Sequence, residues 1–196
     1  MPPRIDTQRV TARGFSLEVP CGQGWRVEVR DDHIDLDRPK MWMWLTVGRT
    51  FIRVARHELR PESLGGDAEI SGFLDAEEKG LTVGPAESRE FSRGSRQVHG
   101  AKYRWMSYRI VRRETLSNGP SVEMVWTTEG LFNVRRSQAF PGRSIIFSFH
   151  ISETWGGGPW EALSDRELFD ALISSFREDS LPAERAAAAR ASLNGR

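Results

Sequence analysis

The sequence predicts an α+β fold in which an antiparallel β-sheet, built as a meander, is flanked by helices on both faces. Apolar and polar residues alternate in several short segments, as they do in half-buried strands, and turn residues separate these segments. Two other segments carry apolar residues at helical spacing. The chain has 196 residues, 38% of them hydrophobic, with ten Phe, seven Trp and a net charge of +1. This composition is typical of one packed domain and not of a disordered chain.

The first strands are predicted in the N-terminal third of the chain. Residues 15–19 and residues 33–37 each alternate apolar with polar side chains, the pattern of a half-buried strand. Residues 41–47 are apolar at both parities, which predicts a strand covered on both faces. Residues 48–50 are expected to turn the chain into a further strand at residues 51–54.

One amphipathic helix is predicted in the middle of the chain. Ile70, Phe73 and Leu74 stand at positions i, i+3 and i+4, so they share one face of a helix. Asp67 suits its N-cap and Gly80 its C-terminal end. The helix is therefore expected to bury this apolar face and expose its acidic residues.

The following half of the chain predicts a meander of antiparallel strands. Asn118 and Gly119 are typical of a tight hairpin, and Pro141 and Gly142 suit a type II turn. Residues 128–130 are interpreted as another turn. The strands between these turns are expected at residues 103–112, 122–126, 131–140 and 145–151. Short turns between neighbouring strands favour an antiparallel sheet over the βαβ units of nucleotide-binding folds.

A second helix is predicted near the C-terminus. Residues 164–167 read Ser-Asp-Arg-Glu, a capping box that marks a helix start. The apolar stripe that follows comprises Leu168, Phe169, Leu172, Ile173 and Phe176. A stripe of this kind places the helix against the sheet.

These elements predict a chain with one domain between two extensions. Residues 1–12 are expected to be a flexible arm, residues 13–179 a single α+β domain, and residues 180–196 an Ala-rich helical tail. The lone Cys21 cannot form an intramolecular disulfide and offers no cluster of metal ligands.

The order of these elements resembles that of a known family. An opening strand at residues 14–20 leads to Gly24 and Trp25, a hairpin follows residues 98–101, and the closing helix at residues 168–177 ends in Ser-Ser-Phe-Arg. In these features the chain is similar to the PsbP-like superfamily, which includes photosystem extrinsic proteins, Ran-binding nuclear-import factors and bacterial proteins.

The resemblance covers residues 13–177 and implies both a fold and a kind of function. It implies a PsbP-like sandwich with helices on both faces of the sheet, and a non-catalytic accessory protein that docks on a larger partner. A photosynthetic partner is implied by the resemblance only. No defined metal site or Ran site of the family matches this chain, so no functional residue is transferred.

The sequence carries no recognisable catalytic or metal-binding motif. Asp31, His33, Asp35 and Asp37 share one face of a predicted strand, but alternate residues stand nearly 7 Å apart, too far for a compact first shell of ligands. No histidine accompanies a nucleophile motif, and phosphate-binding and zinc-protease motifs are absent from the sequence. We therefore expect no catalytic residue, no metal and no cofactor. A hydrolase or small-molecule site assembled from distant residues is the alternative.

A basic segment between residues 89 and 113 is the first candidate binding site. The candidate contacts are Arg104, Arg109, Arg112 and Arg113, and three aromatic residues at positions 103, 105 and 108 stand among them. Basic and aromatic side chains together are also typical of nucleic-acid binding. Because the whole chain is nearly neutral, DNA or RNA is not expected, whereas an acidic protein surface or anionic lipid head groups fit the segment equally well. The leading interpretation without a partner is a solvated, partly salt-paired hairpin.

A glycine-rich segment flanked by tryptophans is the second candidate. Trp155, Gly157 and Trp160 are interpreted either as a loop anchored in the core or as an aromatic docking loop, because Trp is enriched where interfaces concentrate their energy. The sequence does not decide between these two interpretations.

The N-terminus lacks the apolar stretch of a signal peptide, and the longest apolar run, residues 41–45, is too short to cross a bilayer. We therefore expect a cytoplasmic protein, and a peripheral position at the membrane surface is compatible with this expectation. The predicted function is that of a non-catalytic accessory or assembly subunit that docks on a larger protein complex. A membrane-embedded complex is one partner of this kind. Two alternatives stay open: a small-molecule-binding protein or hydrolase, and a nucleic-acid binder that uses the basic hairpin.

Overall fold

A computed structural model describes ten strands and two helices of this chain. The described residues are 6–22, 24–42, 45–58, 71–76, 79, 86, 88–98, 100–115, 121–136, 144–156 and 165–179. The strands are β1 (Thr7–Ala12), β2 (Phe15–Pro20), β3 (Arg26–Val29), β4 (His33–Trp42), β5 (Leu45–Glu58), β6 (Ser88–Val98), β7 (Ala101–Thr115), β8 (Ser121–Arg136), β9 (Ser144–Gly156) and β10 (Arg177–Glu178), and the helices are α1 (residues 71–76) and α2 (Arg166–Ser175).

The described strands form two antiparallel sheets. Seven of them lie side by side in the order β3-β4-β5-β9-β8-β7-β6, and the other three in the order β1-β2-β10. Strands β7 to β9 form the expected meander, and β6 extends it by one strand. Strand β9 also pairs with β5 along eleven residue pairs from Gly48 and Trp155 to Glu58 and Ile145. Strand β9 therefore joins the two halves of the large sheet.

The main core lies between the small sheet, α2 and one face of the large sheet. Its centre is a group of aromatic rings from all three parts: Phe15 of β2, Phe147 and Phe149 of β9, and Phe176 directly after α2. The Phe147 and Phe176 ring centroids are 4.8 Å apart, and those of Phe149 and Phe176 are 5.1 Å apart, both edge-on. Edge-on pairs are favourable beyond the area that they bury. The alternation predicted for residues 145–151 is thus confirmed, and so is the apolar stripe of α2, whose Phe169, Leu172 and Ile173 are all buried.

The opposite face of the large sheet carries a smaller apolar cluster. Leu74 of α1 packs on Met106, Phe132 and Ile146. The two residues of α1 that the sequence placed toward the core, Phe73 and Leu74, do lie there, whereas Asp67, Ile70 and Gly80 lie outside the described residues.

The predicted fold class is correct about the antiparallel sheet and wrong about helices on both faces. The described chain is mostly strand, and a second, three-stranded sheet together with α2 covers one face of the large sheet. The other face carries only α1 among the described residues. The prediction fails on one face because the small sheet, and not only a helix, covers the large sheet there. Apolar residues of β1 and β2 pack into the main core at this position. Residues 7–12, assigned above to an arm, form β1 and pair with β2, and residues 180–196 lie outside the described residues.

Three local predictions are wrong for related reasons. Residues 41–47 are not one strand, because Met41 of β4 pairs with Thr46 of β5, so the apolar run is the end of one strand and the start of the next. The turns expected at residues 48–50 and 128–130 are instead interior parts of β5 and β8. A Cβ at Gly48 would collide with the backbone of β9, and a Cβ at Gly130 would lie 2.9 Å from the Phe132 ring. These glycines permit close packing rather than a change of direction.

No helix among the described residues has the length and apolar character needed to cross a membrane.

Candidate functional site

The basic segment predicted from the sequence forms the hairpin of β6 and β7 at one end of the large sheet. We call residues 88–115 the basic hairpin. It contains eight basic residues and two acidic ones, whereas the rest of the chain contains 20 basic and 25 acidic residues. Strand β6 is the last strand of the sheet, and eight of its eleven residues are exposed. The positive charge of this chain is therefore concentrated at an accessible edge.

The four candidate arginines of β7 divide between the two faces of the hairpin. Arg104 and Arg112 are an even number of residues from Met106, so they lie on the same face of β7 as Met106. This is the face of the smaller cluster. Arg109 and Arg113 lie on the opposite face, where Arg109 Nη1 is 3.8 Å from Glu90 Oε1. The structure thus brings the four residues to one hairpin but not to one surface patch.

An aromatic side chain accompanies the arginines on the face of Met106. The Arg112 guanidinium lies 5.4 Å from the centre of the Trp126 ring, within the range of a cation–π contact. On the same face, Arg93 of β6 donates a hydrogen bond of 2.6 Å to the Asp75 carboxylate of α1. This face of the basic hairpin therefore already binds a carboxylate.

A network of buried charges lies on the main-core side of the sheet, beside the N-terminus of α2. The Lys40 ammonium donates to Glu153 Oε1 at 2.7 Å, and the same oxygen accepts the Asp165 backbone N–H at 2.9 Å. Asp165 is the N-cap of α2, but its side chain makes no capping bond. It accepts hydrogen bonds from Arg38 and from the Thr50 hydroxyl instead. The start of α2 is therefore held by contacts to β4 and β5, whereas Ser164, the first residue of the capping box expected at residues 164–167, lies outside the described residues.

Glu129 of β8 continues this network toward the basic hairpin. Its carboxylate accepts 2.7 Å hydrogen bonds from Arg96 of β6 and from Arg166 of α2. A cavity of about 160 Å³ lies here, bordered by Glu129, Glu153 and Arg166 together with Ser107 and Thr127. Each of these carboxylates is engaged by a cation. The arrangement fixes charges and holds α2 on the sheet.

A second, more open cleft of about 340 Å³ lies among the turns at the other end of the sheet. It is lined by Arg13, Asp31, Asp32, Arg56 and His57. The mixed charges of this lining offer no single sign that would select an ionic ligand.

The acidic face of β4 that the sequence singled out is occupied by arginines. Arg53 donates two hydrogen bonds of 2.7 Å to the Asp35 carboxylate, and Arg49 binds Asp37. Asp32 is bonded to His33 at 2.7 Å, and this bond holds the Asp32 pKa below its usual value. Within the described part of the chain, no three Asp, Glu, His or Cys residues are placed to hold one metal ion.

Two histidines lie on the sheet face of the smaller cluster. Burial lowers the pKa of His57, whose Nε2 stands 2.9 Å from Ser148 Oγ. Burial also lowers the pKa of His150 to about 4, and positive charge on His57 and Arg53 acts in the same direction. Ser148 and His57 have the spacing of a nucleophile and its base, but Ser148 is only 1% exposed. A substrate therefore cannot reach this hydroxyl in the structure described.

Trp155 of the glycine-rich segment belongs to the core. It is 7% exposed, packs with Val111 and Val125, and has the Lys40 ammonium 5.4 Å from its ring centre. Gly157 and Trp160 lie outside the described residues, so the docking role of this segment stays a prediction.

Sequence reasoning missed the buried charge network, although one signal of it was present. Glu153 continues the two-residue period of Ile145, Phe147, Phe149 and Ile151, so alternation places its carboxylate on the apolar face of β9. A charge in register with an apolar stripe indicates a buried ion pair.

Comparison with known proteins gives a structural likeness only. The sequence matches no protein-family model and no curated protein. The structure matches nine chains of solved structures. One of them is the solution structure of cyanobacterial PsbP (CyanoP) from Synechocystis sp. PCC 6803, with 15% sequence identity, a TM-score of 0.41, and coverage of 91% of this chain and 95% of that chain. A likeness of this size assigns neither activity nor partner.

Proposed function

We propose that this chain is a non-catalytic accessory subunit that docks on an acidic surface of a larger protein complex through its basic hairpin. The observation that supports this function is the concentration of positive charge on an exposed terminal hairpin of an otherwise acidic chain. Opposite charge on a partner accelerates the encounter and selects the orientation of docking. A photosynthetic membrane complex as the partner rests on the family resemblance alone.

The buried charges support a structural scaffold behind this surface rather than a catalytic site. Glu129 connects Arg96 of the basic hairpin to Arg166 of α2, so the hairpin is held against the rest of the domain. A rigid surface loses little conformational entropy on binding. The network therefore favours a preformed docking surface.

Charge reversal tests the proposal. The variant Arg109→Glu/Arg113→Glu changes two arginines of the basic hairpin, and the matched variant Arg26→Glu/Arg30→Glu changes two on and beside β3, at the opposite end of the large sheet. A tagged chain is recovered from its native cells with its complex, and the amount of complex is measured across a range of salt concentrations. The hairpin variant should recover at least tenfold less complex, the β3 variant should match the unmodified chain, and added salt should weaken recovery.

Other outcomes identify the alternative functions. Equal loss in both variants, at unchanged melting temperature, contradicts a specific docking surface. Release of the bound material by nuclease, with single-stranded DNA binding that survives physiological salt, identifies a nucleic-acid binder. A hydrolytic activity that disappears in His57→Gln identifies an enzyme.

A further inference from the structure

We propose that the outer edge of β6 binds an extended acidic segment of the partner as an additional strand of the sheet. This inference rests on the proposed function and specifies how the partner is bound. Addition of a strand to a sheet edge obtains affinity from backbone hydrogen bonds and selectivity from alternate side chains.

The position of β6 provides the edge. Strand β6 pairs with β7 along its whole length, from Ser88 and Val111 to Val98 and Ala101, and no other strand among the described residues pairs with it. Eleven residues in extended conformation measure about 36 Å. Eight of them are exposed, so the edge is accessible along most of this length. Such an edge presents backbone N–H and C=O groups that can pair with another chain.

The residues at the centre of β6 suit pairing with a second backbone. Ser92, Gly94 and Ser95 have small or no side chains, and a Cβ added at Gly94 would meet only the Trp105 ring, at 3.8 Å. Glycine in a strand often marks the close approach of another backbone. The middle of the edge is therefore the part best suited to pairing.

The charges of β6 select an acidic segment. Arg89 and Arg93 are four residues apart and share one face of the strand, about 13 Å from each other along it. Arg93 already donates a hydrogen bond to the Asp75 carboxylate, which demonstrates that a carboxylate can approach this face. Opposite charges on neighbouring strands stabilise pairing. An added strand with carboxylates on the same face matches this spacing.

The same charges disfavour a second copy of the chain as the added strand. Arg89, Arg93 and Arg96 are the charged residues of β6 besides Glu90, so two β6 strands side by side would bring like charges together. Like charges on adjacent strands are destabilising, and charged edges protect sheets from self-association.

Peptide probes separate strand addition from simple charge attraction. The first probe is a nine-residue peptide that alternates Glu with Val, and the second replaces each Glu by Lys. Two further probes carry the Glu sequence with N-methyl groups at the odd-numbered or the even-numbered residues, which keeps the charge and removes alternate backbone donors. Binding is measured by fluorescence anisotropy, and the contact is mapped from the amide shifts of the isotope-labelled full chain.

The Glu peptide should bind, with the largest shifts in residues 88–98, and the Lys peptide should bind at least tenfold more weakly. One of the two N-methylated peptides should also lose at least tenfold, because the N–H groups of alternate residues face opposite sides of a strand. Equal binding of all three Glu peptides overturns strand addition, and so does the absence of binding by the Glu peptide at millimolar concentration.

Two proline variants test the edge from the side of the protein. Gly94→Pro and Ser95→Pro each remove one backbone donor of β6, one facing β7 and the other facing outward. The variant that keeps the melting temperature has lost the outward donor, and it should bind the Glu peptide at least tenfold more weakly. Unchanged binding by that variant overturns the inference, as does a concentration-dependent dimer of the unmodified chain that this variant abolishes.

The two proposals fail in distinguishable ways. If charge reversal in β7 abolishes recovery of the complex while the proline variant does not reduce it, docking through the basic hairpin stands and strand addition is overturned. If charge reversal leaves recovery unchanged, the proposed function itself fails, whatever the peptides do.

Discussion

His150 should make this protein lose stability in mild acid. The ring lies edge-on to Phe132 with the two centroids 5.1 Å apart, and Gly130 stands opposite it on β8. Burial in this position disfavours the protonated ring and lowers its pKa from 6.5 to about 4. In the unfolded chain the same ring regains its ordinary pKa, so the unfolded state binds the proton more tightly than the folded state.

The sign and the size of the effect follow from this difference. Above pH 6.5 both states hold a neutral ring, and the histidine costs no stability. As the pH falls from 6.5 toward 4, the unfolded state takes up a proton that the folded state excludes, and the free energy of unfolding decreases. A tenfold change in proton affinity is worth about 1.4 kcal/mol, so the full loss is about 3 kcal/mol when the pH has fallen through 4. Protonation of His57 acts in the same direction.

The assay is urea unfolding at pH 7 and at pH 4.5, with the unmodified chain and with His150→Gln. The unmodified chain should lose 2 to 3 kcal/mol more between the two pH values than the variant does, because glutamine does not titrate. Any effect of the substitution that is independent of pH cancels in this comparison. An NMR titration of the His150 ring gives the folded-state pKa directly. A midpoint near 6.5, or equal pH dependence of the two proteins, would refute the reasoning.

Three further predictions concern packing and buried charge. Gly48→Ala should lower the free energy of unfolding by more than about 2 kcal/mol in chemical denaturation, because its Cβ would collide with the β9 backbone, whereas Gly72→Ala, in open space on α1, should be neutral or slightly stabilising. Glu153→Gln should lower the free energy of unfolding by about 3–5 kcal/mol, because it leaves the buried Lys40 without its anionic partner. The double variant Glu153→Gln/Lys40→Met should recover most of that loss. If the double variant recovers nothing, the two residues are not coupled. Trp155→Ala should cost about 3–5 kcal/mol, since it empties a core position, and a variant with native stability but without partner capture would instead identify Trp155 as a contact residue.

The parts of the fold that the sequence predicted correctly are those where alternation and burial agree. Strands β2 and β9 and the apolar stripe of α2 face the main core, so their periodicity follows directly from packing. In each case the pattern reports which side of an element is covered.

Strand β6 was missed because its conformation owes little to burial. Eight of its eleven residues are exposed, and its side chains alternate mainly among serine, arginine and glycine. It is held by pairing with β7, a partner that local sequence does not reveal. The proposed binding edge is therefore the element that periodicity was least able to find.

The buried ion pairs escaped prediction for the opposite reason. Residues such as Lys40 and Glu153 are charged, and charged residues are mostly exposed in proteins. Their burial depends on partners from distant strands: 113 residues separate these two. Only the register of the large sheet brings them together.

The pairing of β2 with β10 has a consequence for how the chain folds during synthesis. Ser16 lies opposite Arg177, and the Asp179 backbone N–H donates to the Gly14 carbonyl at 3.1 Å. Strand β10 is thus among the last described elements to be synthesised, whereas its partner β2 is among the first. A ribosome-bound chain can form the meander of β6 to β9 early, but the apolar side of β1 and β2 has to wait for α2 and β10. Contacts so distant in sequence slow folding, so the N-terminal hairpin needs protection from aggregation until α2 and β10 have been synthesised.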